Sequence, residues 1–332
     1  MLTLLPWHHA HWSYIVRARK TDRLPHALLL QGAPGTGAFE FARFLGGSLL
    51  CKAPDENFSP CHECKSCYLY AAGNHTDLLV IQPEEQGKQI KVDQIRALID
   101  FISLKSQYEG YKVVIVNPAE AMNRSAANTL LKTLEEPPPL SVLLLVTPRP
   151  ELLPVTIRSR CQQIRFQPDF SEISRSWLSE RISDRKLVDD LLVFANGAPL
   201  AALDMYENGT IEKQKQLLAD MERLGAAGED PVRTARQWNE MGAEQVMRWV
   251  LQLIVDMIKI NTQMESDHSN PAEIHGRLQQ LTNKLDLYKL IVSHDLLLRN
   301  YRLCTGQISY DTQGLLEEFI MHWQQQLQHS RG

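Results

Sequence analysis

The pattern of hydrophobic positions divides the chain into two parts. In the first half, short apolar runs alternate with segments whose apolar residues recur at helical spacing, and several of the runs are rich in the β-branched residues that favour strands. The strand candidates are Ala27–Leu30, Leu78–Ile81, Lys112–Val116, Val142–Thr147 and Gln163–Phe166. Strands that alternate with helices predict an α/β fold with a mainly parallel sheet covered on both faces.

The second half has a purely helical pattern, which begins after about Pro168. It predicts three short helices, then longer ones, with an exposed loop at 265–271. The predicted helices cover residues 170–181, 184–196, 199–207, 211–224, 243–263, 274–303 and 312–328. We therefore predict three domains: an α/β domain (1–167), a small helical domain (168–208) and a larger helical domain (209–332).

Composition narrows the class of protein. Of the 332 residues, 44% are hydrophobic and 22% are charged, which is typical of globular domains and excludes a largely disordered or fibrous chain. The net charge is −4, whereas a protein that binds nucleic acid by itself usually has a basic excess. Any contact with nucleic acid is therefore expected to be shared with partners.

The chain has no apolar run of the roughly 20 residues that a membrane-spanning helix needs, since its best run covers only Val142–Val146. Its first residues lack the charged start and the long apolar stretch of a signal peptide. We therefore expect a cytoplasmic protein.

A glycine-rich loop follows the first predicted strand and precedes an apolar helix, which is the context of a P-loop with the pattern G-x-x-x-x-G-K-[ST]. Gly32, Gly35 and Gly37 permit the tight turn that directs backbone N–H groups at a phosphate. The lysine and the hydroxyl that act on the phosphates and Mg²⁺ are replaced by Ala38 and Phe39. The loop is therefore predicted not to support ATP turnover, although weak nucleotide binding and a purely structural turn remain alternatives.

The strand that should hold the metal in such a fold is also altered. An acidic pair normally ends it, but here Lys112–Val116 is followed by Asn117 and Pro118, and the acid Glu120 comes three residues after Asn117. Two separate losses therefore indicate the same inactive site.

Four of the six cysteines form a cluster with the spacing C-x9-C-x2-C-x2-C. They are Cys51, Cys61, Cys64 and Cys67. In a reducing compartment such a cluster indicates metal binding rather than disulfides. Four thiolates suit tetrahedral Zn²⁺ and leave no open position, which predicts a structural zinc ion. An iron–sulfur cluster and unmetallated thiols are the alternatives, and His62 could replace one ligand.

Arg160 lies in the segment Thr156–Cys161, between the fourth and fifth predicted strands. A single arginine is usually a solvated surface group. A chain whose own phosphate site has lost its charges can nevertheless supply an arginine to a neighbour's site, where it stabilises transition-state charge. Arginine suits this role because its planar guanidinium matches phosphate oxygens and stays protonated.

Together these features resemble the clamp-loader branch of the AAA+ ATPases. The matching parts are the strand, loop and helix at 27–45, the cysteine cluster at 51–67, the run Ala126–Pro138 (AANTLLKTLEEPP) and the segment Ile157–Cys161 (IRSRC). The last two are highly specific to that branch. All of the matching motifs lie within 27–161, and the helical remainder fits by layout only.

The resemblance implies a RecA-like AAA+ α/β domain, a small helical lid, and an all-α collar that joins other subunits in a ring. It also implies zinc on the four clustered cysteines, and an arginine finger, Arg160, that reaches the ATP site of an adjacent motor subunit. Motor subunits of the gamma/tau type keep the lysine and threonine that are missing here. They also usually place a sensing arginine where this chain has Ala201.

These departures imply a component of bacterial DNA polymerase III that binds no ATP of its own. Its implied partners are gamma/tau-type ATPase subunits and a delta subunit, with which it would load the sliding clamp on primed DNA.

Two other functions remain open. One is an active AAA+ ATPase subunit with an atypical P-loop, and the other is a zinc-dependent nucleic-acid-binding module, which the acidic balance disfavours. The histidines near the N-terminus, His8, His9 and His11, could be taken for a metal site. We interpret the segment that holds them as an amphipathic helix.

Overall fold

The computed structural model describes residues 2–85, 87–108, 110–225, 229–263, 272–306 and 310–328. It contains one five-stranded parallel sheet with the strand order β2-β3-β4-β1-β5. The strands are β1 (Ala27–Gly32), β2 (Leu78–Ile81), β3 (Lys112–Val116), β4 (Ser141–Thr147) and β5 (Gln162–Phe166). The predicted parallel sheet is therefore confirmed, and each strand lies within two residues of its predicted bounds.

Both faces of the sheet are buried, as parallel sheets require. Leu29 and Val114 belong to a core on one face, whereas their neighbours Leu28, Leu30 and Val113 belong to a second core on the other face. All five side chains are fully buried. The near-continuous apolar runs in the sequence follow from this burial on both sides.

Fifteen α-helices are described. They are α1 (His9–Lys20), α2 (Ala38–Leu50), α3 (Lys65–Ala71), α4 (Val92–Ser103), α5 (Arg124–Glu135), α6 (Val155–Arg158), α7 (Glu172–Ser179), α8 (Arg185–Phe194), α9 (Pro199–Glu207), α10 (Thr210–Arg223), α11 (Pro231–Glu240), α12 (Ala243–Asn261), α13 (Ala272–Thr282), α14 (Leu287–Cys304) and α15 (Thr312–Gln328). Short 3₁₀ helices cover Pro6–His8, Ala119–Ala121 and Pro150–Leu152. None of the helices in the described ranges is long and apolar enough to cross a membrane.

The chain forms two compact units. The first comprises residues 1–188 and 195–203 and contains the sheet; the second comprises 189–194 and 204–332 and is helical wherever it forms regular structure in the described ranges. The second unit has its own core, with Trp238, Phe319 and Trp323 fully buried. The predicted fold class, a parallel α/β region followed by an all-helical region, is thereby confirmed.

Hydrophobic periodicity missed α3, α6 and α11. Helix α11 has a clear start signal: Asp230 accepts a hydrogen bond from the backbone N–H of Val232 at 3.0 Å, and Pro231 is the first helical residue. The predicted helix over 274–303 is two helices, because the chain leaves α13 at Thr282 and Asp286 caps α14. The predicted loop at 265–271 lies outside the described residues.

Candidate functional site

The glycine loop connects β1 to α2 at the carboxyl edge of the sheet. Gly32 ends β1, and α2 begins at Ala38. Gly35 and Gly37 have φ angles of +84° and +93°, in the left-handed region where residues with a Cβ are strained. The backbone path of a phosphate loop is therefore present, and these two glycines are needed for the turn itself.

The N-terminal segment covers one side of this loop. The indole N–H of Trp7 donates to the Thr36 carbonyl at 2.9 Å, and Nε2 of His8 bonds the same oxygen at 2.9 Å. A Cβ on Gly37 would overlap the His8 ring and the Leu5 side chain. The loop is thus packed against the chain's own side chains, a contact that no sequence motif indicated.

The first turn of α9 covers the loop from another side. The backbone N–H of Leu200 donates to the Gly35 carbonyl at 3.0 Å. A Cβ on Gly35 would overlap both the Cβ and the backbone of Ala201. The position at which a sensing arginine was expected is therefore in direct contact with the glycine loop.

The two residues that replace the lysine and hydroxyl lie in the hydrophobic core or against it. Ala38 is 5% exposed, and Phe39 packs against the same apolar cluster as β1 and α2. Neither side chain can neutralise a phosphate or ligate Mg²⁺. The loop therefore has the turn of a phosphate site without its cation and without its metal ligand.

Glu120 is occupied by interactions within the fold. Its buried carboxylate accepts a hydrogen bond from the Thr147 hydroxyl at 2.7 Å and lies 3.5 Å from Nε of Arg149. Glu120 lines a cavity of about 560 Å³ together with Asn117 and Pro118, which are joined by a cis peptide bond. No residue of the glycine loop lines that cavity. The Glu120 carboxylate is therefore already engaged by Thr147 and Arg149.

The four clustered cysteines converge on one point, although three different parts of the chain supply them. Cys51 directly follows α2, Cys61 lies in a loop, Cys64 caps α3 and Cys67 lies in its first turn. All four Sγ atoms lie within 4.8 Å of one another. The Cys51–Cys61 and Cys61–Cys67 sulfur distances are 3.5 and 4.0 Å.

These distances suit a tetrahedral metal ion. Sulfurs at 2.3 Å from a tetrahedral centre are separated by about 3.8 Å. Burial opposes ionisation of Cys64, but backbone N–H groups of Lys52 and Cys67, together with neighbouring thiols, lower its pKa to about 6. Burial raises the pKa of Cys51 and Cys67. A four-thiol group with this geometry could hold a metal ion, whose charge would ionise the two resistant thiols.

The Arg160 side chain pairs with an acidic residue of the run Ala126–Pro138, the other segment that is specific to the clamp-loader branch. Its Nε donates to Oε1 of Glu135, the last residue of α5, at 2.8 Å, and its Nη1 donates to the Thr156 carbonyl at 3.0 Å. The Arg160 side chain is 36% exposed. The sequence alone did not identify Glu135 as its partner.

Arg160 lies at the opposite edge of the sheet from the glycine loop. It precedes β5, which runs parallel to β1, whereas the loop follows β1. The five-residue length of β5 corresponds to about 16 Å. Arg160 therefore does not reach the glycine loop of its own chain.

The N-terminal histidines have structural surroundings. His8 is 1% exposed, and burial lowers its pKa to about 4 despite the opposing hydrogen bond to Thr36. Nε2 of His11 bonds the Arg165 carbonyl at 3.0 Å. Within the described ranges, the grouped metal-ligand candidates are the cysteines and include none of these histidines. The segment is a short 3₁₀ turn followed by α1, as the amphipathic-helix interpretation predicts.

The parallel sheet, the glycine loop after β1 and the helical second unit define a protein of the RecA-like AAA+ class. Family models described as "DNA polymerase III, delta subunit" and "DNA polymerase III, delta subunit, C terminal" match residues 7–170 and 208–325. DNA polymerase III subunit delta' of Pseudomonas aeruginosa is 32% identical over 97% of this chain and 98% of its own length. The chain therefore belongs to the DNA polymerase III delta' family.

Two further comparisons concern a tau/gamma subunit and the fold. DNA polymerase III subunit tau/gamma of Haemophilus influenzae is 37% identical over 47% of this chain and 22% of its own length. A crystal structure of a DNA polymerase III gamma subunit-related protein from Thermotoga maritima covers 95% of this chain and 99% of its own. Its TM-score is 0.52 and its sequence identity 18%, a likeness that concerns the fold alone.

Proposed function

We infer that the chain is a non-hydrolysing clamp-loader subunit of bacterial DNA polymerase III. It assembles with gamma/tau-type ATPase subunits and a delta subunit into a ring that places the sliding clamp on primed DNA. Its catalytic contribution is Arg160, an arginine finger donated to the ATP site of an adjacent subunit. The observation that carries this proposal is the pairing of a closed, uncharged glycine loop with an exposed arginine at the opposite edge of the same sheet.

The absence of intrinsic ATP hydrolysis is supported by the surroundings of the loop. Phosphates at the loop would have to fit beside Trp7, His8 and Leu200, which contact its Thr36 and Gly35 carbonyl oxygens. They would then meet the buried methyl group of Ala38 instead of an ammonium group. A charge-assisted hydrogen bond contributes about 1.5–3 kcal/mol, so the loss of such contacts weakens phosphate binding before Mg²⁺ is considered.

Donation of Arg160 to a neighbour is supported by its position and by its attachment. Its bonds to Glu135 and to the Thr156 carbonyl fix the direction of the guanidinium, which remains partly exposed. A fixed cation requires less ordering when the complex forms. On a neighbour's γ-phosphate, such an arginine stabilises the charge that develops during transfer.

The remaining assignments follow from the same family. The helical segment 168–208 acts as the lid, and residues 209–332 act as the collar that joins other subunits. Zn²⁺ bound by Cys51, Cys61, Cys64 and Cys67 has a structural role, since four protein ligands leave no open position. The convergence of the four sulfurs supports that assignment.

The decisive experiment measures ATP turnover with and without motor subunits. The isolated chain should show no magnesium-dependent hydrolysis. In the assembled complex, Arg160→Ala should lower turnover at the adjacent site by about 10³-fold or more, so that total turnover falls by the share of that one site. Arg160→Lys should not restore it, because an ammonium lacks the planar fork.

The matched control is Arg96→Ala, which removes another exposed arginine that pairs with an acid in the same unit. That variant should leave turnover of the complex unchanged. Equal turnover with Arg160→Ala and wild type would exclude the finger role. Saturable hydrolysis by the isolated chain would instead support the alternative, an active ATPase subunit with an atypical P-loop.

A further inference from the structure

A buried histidine connects the cysteine cluster to the sheet. His75 lies between α3 and β2 and is 4% exposed. It is not one of the four sulfur donors, and no sequence motif singled it out. Its hydrogen bonds nevertheless lead on one side to the cysteines and on the other side to the edge of the sheet.

The link to the cysteines is Ser66, which lies between Cys64 and Cys67 and is 2% exposed. Its hydroxyl donates to the carbonyl of Leu50, the residue immediately before Cys51, at 2.5 Å. This single hydrogen bond joins the end of α2 to the first turn of α3. Together with the bond from the Tyr70 hydroxyl to the Arg43 carbonyl at 2.6 Å, it fixes the distance between the two chain segments that supply Cys51 and Cys67.

His75 fixes the direction of that hydroxyl. A serine has one O–H proton, and here the proton points to Leu50, so the 2.8 Å contact between Ser66 Oγ and His75 Nε2 requires a proton on Nε2. The backbone N–H of Asp77 donates to Nδ1 of His75 at 3.0 Å, which requires Nδ1 to be unprotonated. Two independent contacts thus define the same neutral tautomer, and burial lowers the pKa of His75 in agreement with it.

The other side of the network is firmly held. The buried carboxylate of Asp77 accepts hydrogen bonds from the Ser106 hydroxyl at 2.7 Å and from the backbone N–H groups of Gln107 and Tyr108 at 3.1 and 3.3 Å. It also lies 3.6 Å from the buried ammonium of Lys112 in β3. Because these partners hold Asp77 at the sheet edge, the backbone N–H that orients His75 has a fixed position.

We propose that His75 is a positioning residue of the four-cysteine metal site. Its Nε2–H orients Ser66, whose hydroxyl holds the chain before Cys51 against α3, so that the four sulfurs are arranged for a metal ion before it binds. This inference rests on the proposed metal site. Groups that orient metal ligands without touching the metal typically change metal affinity by 10–100-fold when they are removed.

Two substitutions separate the roles of the two ring nitrogens. His75→Gln places an amide N–H near the position of Nε2 and keeps the donor to Ser66. His75→Asn places an amide oxygen near the position of Nδ1 and keeps only the acceptor for Asp77. We expect His75→Asn to weaken Zn²⁺ binding by about 10–100-fold and His75→Gln to retain affinity within about threefold of wild type.

The measurements are competition for Zn²⁺ against a chromophoric chelator, and the absorption spectrum of the Co²⁺-substituted full-length chain. Ser66→Ala should reproduce the loss seen with His75→Asn, and the double variant should lose no more than either single one, because both act through one hydroxyl. If His75→Asn fails to fold, Ser66→Ala still tests whether the Ser66 hydroxyl supports metal binding. Ser174→Ala is the matched control, since Ser174 is fully buried in the same unit but bonds Asp169.

The possible failures can be told apart. One metal ion per wild-type chain, with equal affinity in His75→Asn, would overturn the positioning role and leave the metal site intact. Equal losses in His75→Asn and His75→Gln would assign the effect to packing and would also overturn it. A wild-type chain that takes up no Zn²⁺ or Co²⁺ would overturn the proposed metal site and this inference with it.

Discussion

Helix α2 has a candidate site at each end, and the two ends keep different groups. At its N-terminus the glycine loop retains the backbone turn, while Ala38 and Phe39 stand where the reactive side chains would be. At its C-terminus, Cys51 and the three other thiols retain a complete donor set within 4.8 Å. A backbone turn can exist without chemistry, since glycines alone permit it, whereas a metal site exists only through its side-chain donors.

The two ends also differ in what the surrounding contacts leave open. Side chains and backbone from distant segments pack directly on the glycine loop, so the loop contributes to the core. Near the cysteines, the contacts of Ser66 with Leu50 and His75 join the surrounding segments and leave the four sulfurs free to converge.

Removal of a thiol from the cysteine cluster should have the largest effect. Cys64→Ser should abolish stoichiometric zinc and lower the thermal midpoint by about 10 °C or more, because metal binding to a structural site contributes to folding free energy. Zinc content by atomic spectroscopy and thermal denaturation measure both effects. Cys304→Ser, in the second unit, is the control and should retain the metal. Full zinc content in Cys64→Ser would contradict the complete donor set that distinguishes the C-terminal end of α2 from its N-terminal end.

Restoration of the lysine at the other end of α2 should destabilise the protein without creating an enzyme. Ala38→Lys places an ammonium in a site that is 5% exposed, which should cost about 3 kcal/mol. The double variant with Phe39→Thr should still show no ATP turnover. Arg43→Lys places a lysine at an exposed position of α2 without changing the charge and should be nearly neutral. Magnesium-dependent ATP hydrolysis by the double variant would mean that the contacts on the glycine loop do not exclude ATP.

His8, which packs on the glycine loop, should make the free energy of unfolding depend on pH. The pKa of His8 is about 4 in the fold and near 6.5 when unfolded, so the unfolded chain binds the extra proton between these values and stability falls as pH falls through this window. Between pH 7.5 and 5 the loss should be about 2 kcal/mol.

His8→Gln keeps an N–H donor for Thr36 without a titrating ring, and it isolates the contribution of His8. Denaturation of both proteins at the two pH values provides the measurement. Wild type should lose about 2 kcal/mol more than the variant over this interval. An identical loss in both would show that His8 does not contribute the pH dependence.

The smallest effect on stability is expected at the exposed partner of Arg160. Glu135→Gln should change the free energy of unfolding by less than about 1 kcal/mol, since exposed ion pairs contribute little. It should still lower ATP turnover of the assembled complex, though less than Arg160→Ala, because the bond to the Thr156 carbonyl remains. Glu136→Gln is the neighbouring control. Normal turnover in Glu135→Gln would show that the ion pair does not position the arginine.

The predictability of the fold followed the strength of the local pattern. The three central strands were predicted within two residues because burial on both faces leaves near-continuous apolar runs, such as Val113–Val116. Helix α11 was missed because its signal is a cap, Asp230 with Pro231, and not an apolar period. The division after Thr282 was missed because apolar residues continue through it.

The features of the candidate sites also divide into those that the local sequence determines and those that it does not. The sequence alone determined the donor set of the cysteine cluster, the glycines of the loop and the loss of its lysine and hydroxyl, because residue type and local spacing fix these features. Only the tertiary structure decided that Ala201 and His8 pack on the loop, that Glu135 holds Arg160 and that His75 supports Ser66. Apart from Ser66 and His75, which are nine residues apart, these pairs join residues distant in the chain, and all of the contacts depend on how the strands and helices pack, which no local spacing encodes.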